Sequence, residues 1–269
     1  MKDVKDSKAP SEKIVLETQN LTIRFGGLTA VKELNLSIPE GYIFGLIGPN
    51  GAGKTTVFNM VTQHYKPTEG KILYYGQPLS VRPDVAVKMG IARTFQNIRL
   101  FGSMNVRDNI IVAMHGNLNI SWIKSMLGTR DYRIKWRQMQ EKADELLEKV
   151  GLSDVAYEKA TGLPYGLQRR LEIARALATE PKLLLLDEPA AGMNPQEIVD
   201  LLDFVRKVRD EFHLTVFIIE HHMSLIMKLC DRIAVINYGE KIAEGNAEEI
   251  QSHPEVIEAY LGVDDIVKG

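Results

Sequence analysis

The sequence predicts an α/β fold, and three segments support this prediction. Residues 42–61 begin as a short apolar run of strand length, become glycine-rich and continue as the start of a helix. Residues 182–194 contain four consecutive leucines followed by two acids, which is typical of a buried parallel strand. Between them, residues 105–151 carry apolar residues at the spacing of helices. A helical segment therefore separates a strand-rich first third of the chain from a strand-rich last third.

Composition and charge set the broad class of the protein. The chain has 269 residues, of which 45% are hydrophobic and 25% are charged, as in an ordinary globular protein. The net charge of -2 gives no sign of a nucleic-acid partner, which would favour a clustered basic excess. A single cysteine, Cys230, excludes an internal disulfide and favours a reducing compartment. Because no apolar run is long enough to cross a bilayer, we expect a soluble chain whose membrane role would depend on a partner.

The chain begins with a polar stretch and then with strands. We expect residues 1–13 to be a disordered tail, because they are polar and charged. Residues 14–25 alternate between apolar and polar types and are predicted to form a strand. Shorter strands are predicted at residues 34–38 and 71–75, each followed by turn-forming residues.

The glycine-rich loop after residues 42–47 predicts phosphate binding. Residues 48–55 match the spacing G-x-x-x-x-G-K-[ST], in which backbone N–H groups point at the phosphates of a nucleotide. Glycine allows a positive φ, Lys54 can reach the β and γ phosphates, and Thr55 can place its hydroxyl on Mg²⁺. The predicted nucleotide-binding residues of this loop are Gly48, Pro49, Asn50, Gly51, Ala52, Gly53, Lys54, Thr55 and Thr56.

Phe25 is the nearest aromatic residue upstream of the loop. An exposed ring at this position could stack on an adenine base. Phenylalanine is also a common core residue, so the sequence leaves both alternatives open.

The acids that follow the four leucines are candidates for the chemistry. The strand would deliver Asp187 and Glu188 at its carboxyl end, where open α/β sheets bind ligands. Adjacent acids point in different directions, which suits Asp187 to orient Mg²⁺ and Glu188 to act as a general base on water. Together with the phosphate loop, this segment predicts a nucleoside triphosphatase.

A third strand, at residues 214–219, ends in Glu220, His221 and His222. The His221 imidazole could donate a hydrogen bond to the γ phosphate or to the attacking water. We do not expect His221 and His222 to bind a metal together, because neighbouring strand residues face opposite ways and no third His or Cys ligand is evident.

These motifs occur in an order that resembles the ATPase subunits of ABC transporters. The matching motifs and residues are, in order, Phe25, the loop at 48–56, Gln96, LPYGLQRRLEIARAL at 163–177, LLLLDEP, AGMNP and His221. The resemblance implies a P-loop NTPase (RecA-like) core with an antiparallel β subdomain and an inserted α-helical subdomain. It also implies that Gln96, at the end of a strand, links Mg²⁺ and water to the helical subdomain.

In that family the segment beginning at Leu163 is the signature, normally L-S-G-G-Q, which contacts ATP held by a second subunit. The resemblance therefore implies a head-to-tail dimer in which Tyr165 and Gly166 bind nucleotide across the interface. This chain departs from the pattern, with Pro164 for serine, Tyr165 for glycine and Leu167 for glutamine. Gly166 still precedes an amphipathic helix whose N-terminus favours an anion.

Several segments resemble the branch of the family that serves branched-chain amino-acid importers. They are FGGLTAV, RTFQNIRLF, QRRLEIARAL, EPAAGMNP, IEHHM and PEVIEAYLG. His222 stands where that branch commonly has aspartate. The resemblance implies an ATP-binding and hydrolysing subunit, a homodimer or a heterodimer with a related ATPase, at the cytoplasmic face of the inner (plasma) membrane. Its implied partners are integral membrane permeases and, indirectly, a periplasmic or extracellular solute-binding protein, with no nucleic acid.

Two alternatives and a division into domains complete the sequence-based prediction. The alternatives are the ATPase of a lipopolysaccharide-type ABC exporter and a soluble ABC-type nucleotide switch without a membrane partner. We expect a nucleotide-binding core at residues 14–96, with the β subdomain, and at 161–245, with the signature helix. A helical subdomain is expected at 97–160 and a C-terminal helical extension at 246–269.

Overall fold

The computed structural model describes residues 13–115 and 130–264. Residues 1–12 of the predicted tail, part of the predicted helical segment and the end of the predicted C-terminal extension lie outside the described residues. The strands are β1 (Ile14–Phe25), β2 (Leu28–Pro39), β3 (Ile43–Ile47), β4 (Glu69–Tyr74), β5 (Gln77–Pro78), β6 (Ile91–Arg93), β7 (Leu183–Asp187), β8 (Thr215–Ile219), β9 (Arg232–Asn237) and β10 (Glu240–Gly245). The α-helices are α1 (Lys54–Val61), α2 (Pro83–Lys88), α3 (Val106–His115), α4 (Arg130–Val150), α5 (Tyr165–Leu177), α6 (Pro195–Glu211), α7 (Met223–Leu229), α8 (Ala247–Ser252) and α9 (Pro254–Asp264).

The strands form two sheets, and the predicted α/β class is confirmed. The smaller sheet has the order β2-β1-β4-β5, and its pairs are antiparallel. The larger has the order β10-β9-β3-β8-β7-β6. Its strands β9, β3, β8, β7 and β6 are parallel, while β10 pairs antiparallel with β9. Within residues 13–115 and 130–264, no helix combines the length and the apolar character needed to span a membrane.

Strand β7 shows why the inner strands of the larger sheet are nearly continuous apolar runs. Leu184 and Leu186 pack into the core that contains α5, α6 and α7. Leu183 and Leu185 pack into the core that contains α1 and the smaller sheet. Because both faces of the strand are covered, alternation of polar and apolar residues would bury polar side chains, and the run of four leucines avoids this.

Two predicted boundaries are wrong. The strand predicted at residues 34–38 begins at Leu28, because Leu28 already pairs with Phe25 across the tight turn at Gly26 and Gly27. Charged residues in this part of β2 are exposed to solvent and interrupt the alternation of polar and apolar residues that predicts a strand. The strand expected to end at Gln96 stops at Arg93, so Gln96 lies in the loop that follows β6.

The glycines of the phosphate loop differ in the space around them. Gly51 and Gly53 have φ values of 81° and 102°, in the left-handed region that favours glycine. A Cβ atom on Gly53 would lie 2.5 Å from the Ala30 carbonyl oxygen, whereas one on Gly51 would meet no heavy atom within 4 Å. Gly53 is therefore required for close packing of the loop against β2, in addition to its backbone conformation.

We expect Gly53→Ala to lower the midpoint of thermal unfolding more than Gly51→Ala does. Both substitutions place an L side chain at positive φ, which costs about 1–2 kcal/mol and lowers the midpoint by roughly 2–4 °C per kcal/mol. Only Gly53→Ala adds an overlap with Ala30. Differential scanning calorimetry without ligand compares the two variants. Equal shifts would mean that the loop relaxes around the added methyl group at no cost.

Candidate functional site

Loops that follow neighbouring parallel strands meet at one edge of the larger sheet. β3, β8, β7 and β6 are consecutive in that sheet and run in the same direction. Asp187 pairs with Ile219, and Ile219 pairs with Leu46, so β7, β8 and β3 end close together. The phosphate loop and the predicted catalytic groups lie at these carboxyl ends, where open α/β sheets bind ligands.

The phosphate loop leads directly into α1, which begins at Lys54. The Lys54 ammonium is buried and donates hydrogen bonds to the carbonyl oxygens of Gly48 at 2.7 Å and Pro49 at 3.0 Å. Burial lowers the pKa of Lys54, while the carboxylates of Glu188 and Asp187 oppose that shift. The ammonium therefore lies among the strand-end acids and is held by the loop's own backbone.

A cavity of about 560 Å³ opens in front of this loop. It contains most of the predicted loop residues together with the predicted base, Glu188. Gly48 and Pro49 do not line it, and their carbonyl groups hold Lys54. The lining residues are Phe25, Leu28, Thr29, Ala30, Asn50, Gly51, Ala52, Gly53, Lys54, Thr55, Thr56, Glu188 and Tyr238.

Phe25 lies at the mouth of the cavity with 45% of its surface exposed. Its ring meets the edge of Tyr65 at a centroid distance of 5.3 Å. This position excludes the core alternative and leaves the ring free to stack on a flat ligand. Tyr238, in the turn between β9 and β10, lines the same cavity with 88% exposure. Tyr238 was not predicted, because it follows the cavity's other residues by more than forty positions in the sequence.

Glu188 follows the last residue of β7 and has a φ of 45°, an uncommon conformation for a residue with a side chain. Its Oε2 accepts a hydrogen bond of 2.8 Å from Nε2 of Gln96. Its backbone N–H donates to the carbonyl of Ile219 at 2.9 Å. Strained backbone of this kind persists where the surroundings impose it and is frequent at functional sites. The strand ends at Asp187, which is buried, and Glu188 lies in the turn that follows it.

His221 lies next to Glu188, with its Nδ1 at 3.7 Å from Oε2 of that acid. Nδ1 of His222 lies 3.3 Å from Oε2 of the buried Glu220. The expectation that the two histidines face opposite ways is wrong, because they follow the end of β8 at Ile219 and their ring centroids are 4.2 Å apart. Ligand atoms of Glu220, His221 and His222 all lie within 4.8 Å of one another.

Tyr165 and Gly166, the first residues of α5, do not line this cavity. The Tyr165 hydroxyl donates a hydrogen bond of 2.9 Å to the carbonyl of Ala191, and its ring lies against Gly192. Gly166 lies near the carboxyl group of Glu197. Within one chain, the segment that resembles the signature is thus separate from the phosphate loop.

A buried ion pair on α5 holds the loop that carries Gln96. The Arg169 guanidinium, fully buried, donates to the carbonyls of Phe95 at 2.8 Å and Gln96 at 2.9 Å. It also lies 2.6 Å from Oε2 of Glu172, whose Oε1 accepts N–H groups of the same loop from Phe95 and Arg99. Burial raises the pKa of Glu172, and Arg169 opposes the shift. This pair was not predicted, because two oppositely charged residues three positions apart are also typical of the exposed face of an amphipathic helix.

The sequence also matches families of known proteins. Residues 31–191 match the family described as ABC transporter, and residues 240–266 match the family described as branched-chain amino acid ATP-binding cassette transporter. The first match spans the phosphate loop, the α5 segment and the Asp187–Glu188 turn. The second covers β10 and the two helices that follow it.

Two named relatives and one solved structure are similar over nearly the whole chain. The high-affinity branched-chain amino acid transport ATP-binding protein BraF of Pseudomonas aeruginosa is 47% identical, over 92% of this chain and 98% of BraF. LivG of Escherichia coli, with the same description, is 45% identical over the same shares. The ADP conformation of MJ1267, an ATP-binding cassette of an ABC transporter, superimposes with a TM-score of 0.80 and 31% identity, covering 93% of this chain and 99% of that one.

We expect Arg169→Met to loosen the loop that carries Gln96. The substitution removes two hydrogen bonds to the loop backbone and leaves Glu172 buried without its partner. Hydrogen–deuterium exchange should therefore rise by an order of magnitude or more in residues 95–99.

Arg170→Met is the matched control for this prediction. Arg170 is the next residue on α5, but its guanidinium lies over the Phe204 ring, 5.3 Å from the centroid, on another side of the helix. Its loss should leave exchange in residues 95–99 unchanged. Equal exchange in the two variants would show that Arg169 does not hold the loop.

Proposed function

The chain belongs to the ABC transporter family, and we propose that it is the subunit that binds and hydrolyses ATP to power an importer of branched-chain amino acids. The named relatives are ATP-binding proteins of branched-chain amino acid transport, and the match at the C-terminal end of the chain is to the same branch. One geometric observation carries the hydrolytic role. Glu188 lines the cavity of the phosphate loop, and its carboxylate is held by the amide of Gln96.

Different groups around the cavity have different roles in binding and hydrolysing ATP. Backbone N–H groups of the loop and the Lys54 ammonium bind the phosphates, and Phe25 stacks on the base. Glu188 accepts the proton of the attacking water, which a positioned base accelerates by about 10²–10⁴-fold. The Gln96 amide keeps the Glu188 carboxylate oriented through a hydrogen bond to Oε2, and His221 lies beside the same oxygen.

The residues present also fit a magnesium ion bound together with the nucleotide. The Thr55 side chain is exposed and lines the cavity, and Asp187 offers a carboxylate whose Oδ1 makes no hydrogen bond to any described residue. Oxygen atoms of hydroxyl, carboxylate and amide groups are the ligands that Mg²⁺ prefers. Thr55, Asp187 and Gln96 would hold the ion directly or through water. When bound, it would neutralise charge on the β and γ phosphates.

A second copy of the chain, or a related ATPase, would complete each site. Tyr165 and Gly166 lie outside the chain's own cavity, although Gly166 stands in the first turn of α5, where backbone N–H groups favour an anion. In a head-to-tail dimer these residues would face the phosphates bound by the partner. Membrane permeases, a solute-binding protein outside the membrane and a location at the cytoplasmic face follow from the importer role.

Transport in reconstituted vesicles tests this function. The chain is combined with membrane permeases and a solute-binding protein of branched-chain amino acid transport from the same organism, and uptake of labelled leucine is measured with ATP enclosed on the side of the ATPase. ATP-dependent accumulation of leucine supports the importer. Hydrolysis without leucine uptake, or movement of a lipid-linked cargo in the outward direction, would favour an exporter.

Glu188→Gln separates binding from hydrolysis. We expect ATP affinity to stay within about threefold, because the amide keeps the shape of the side chain, and turnover to fall by about 10²–10⁴-fold. Filter binding of labelled ATP and phosphate release measure the two quantities. Near-normal hydrolysis by this variant would show that another group activates the water.

Lys54→Ala is expected to lower the affinity for ATP, because the ammonium is a group that binds the phosphates. It should weaken ATP binding by at least tenfold, through loss of a charge-assisted contact with the phosphates. The same binding measurement applies, with calorimetric unfolding as the control for the fold. Unchanged affinity would contradict the assignment of the loop as the phosphate site.

A further inference from the structure

Arg93, the last residue of β6, has a buried side chain beside the end of β7. One of its guanidinium nitrogens, Nη2, is 2.6 Å from Oδ2 of Asp187, and the two side chains are only 7% and 6% exposed. The other, Nη1, donates a hydrogen bond of 2.7 Å to Oδ1 of Asn59 on α1. The guanidinium therefore joins the end of β7 to the helix that follows the phosphate loop.

The aromatic rings around Arg93 restrict its guanidinium further. The rings of Phe58 and Phe95 lie 5.6 Å and 5.2 Å from it, within the range of cation–π contact. Phe95 belongs to the loop that carries Gln96. One planar group thus contacts three parts of the nucleotide site, and its fork geometry leaves little freedom for the carboxylate that it binds.

The contact uses only one oxygen of Asp187. Oδ2 is held by Arg93, while Oδ1 has no hydrogen bond to any group in the described part of the chain. A carboxylate that ligates a metal directly or through water works best when its other oxygen is fixed, because the ligand is then oriented before the ion arrives. The pair is also buried, so it is screened little by solvent and by salt.

From this arrangement we propose that Arg93 is a positioning residue that orients the Asp187 carboxylate for the Mg²⁺ bound with the nucleotide. The inference rests on the proposed function of the site. It predicts that Arg93 acts on the affinity for the metal and leaves the metal-free affinity for ATP unchanged, because Arg93 does not line the nucleotide cavity.

The test measures binding in a chain that does not turn over ATP. Glu188→Gln is combined with Arg93→Gln, and ATP binding is followed by isothermal titration calorimetry in EDTA and at a series of Mg²⁺ concentrations. Mn²⁺ binding in the presence of ATP is followed by electron paramagnetic resonance. We expect affinity for the metal to fall by about 10–100-fold, as for other groups that orient metal ligands, with ATP affinity in EDTA unchanged. Arg93→Lys, which keeps the charge but loses the fork, should give a smaller loss.

A second ion pair of the same chemistry provides the control. Arg107 on α3 binds both oxygens of Asp144 on α4, at 2.6 Å and 2.9 Å, and neither residue lines the nucleotide cavity. Arg107→Gln should leave metal affinity unchanged. If Arg93→Gln prevents folding, Asn59→Ala carries the test, because it removes the second anchor of the guanidinium and should weaken metal binding in the same direction.

Three results separate the possible outcomes. Metal affinity equal to that of the parent chain in Arg93→Gln, or in Asn59→Ala where that variant carries the test, would overturn the proposal and make Arg93 a purely structural residue. Tighter metal binding would overturn it as well, since Arg93 would then compete with the ion for Asp187. Failure of the parent Glu188→Gln chain to bind ATP in EDTA and with Mg²⁺ would instead contradict the proposed function.

Discussion

The parallel pairing of β3, β8 and β7 is the constraint on which the candidate site depends. Both faces of β7 are covered, so apolar side chains alone would tolerate a shift of the strand along its neighbours. The acid at Asp187 removes that tolerance, because a shift toward the interior would bury its carboxylate among leucines without a partner. Its pairing opposite Ile219 places it where Arg93 can reach it. The same residue thus sets the register of the strand and is the ligand proposed for the metal ion.

Placing charged groups at the end of an apolar sheet is unfavourable unless each has a partner. Lys54 and Asp187 are both buried, and the first is held by backbone carbonyls while the second is held by Arg93. Glu188 adds a strained backbone, which costs about 1–2 kcal/mol. The burial of apolar side chains in the two cores on either side of the sheet offsets these free-energy costs. The site is therefore preorganised by the core before a nucleotide binds, as electrostatic catalysis requires.

The sequence predicts those parts of the site in which the motif spacing and the reactive residues lie within one continuous segment of the chain. The phosphate loop and the acids after β7 are of this kind, because a strand end and a reactive residue are adjacent in the chain. Arg93 and Arg169 could not be predicted, since their partners lie 94 and 73 residues away and only the fold brings them together. The relation between His221 and His222 also escaped prediction, because both residues follow the end of β8 at Ile219, where the alternation of a strand no longer applies.

Two separate connections run from the N-terminus of α5 to Glu188. Through the first, the Tyr165 hydroxyl binds the carbonyl of Ala191, whose own N–H donates to the Glu188 carbonyl at 3.2 Å. Through the second, Arg169 holds the backbone of Gln96, whose side chain binds the Glu188 carboxylate. In the proposed dimer, the start of α5 is the part of each subunit that meets the partner's nucleotide. Both the backbone and the side chain of Glu188 are therefore linked by hydrogen bonds to the start of α5. The first of these connections depends on the Tyr165 hydroxyl, which the glycine usual at this position in the family would lack.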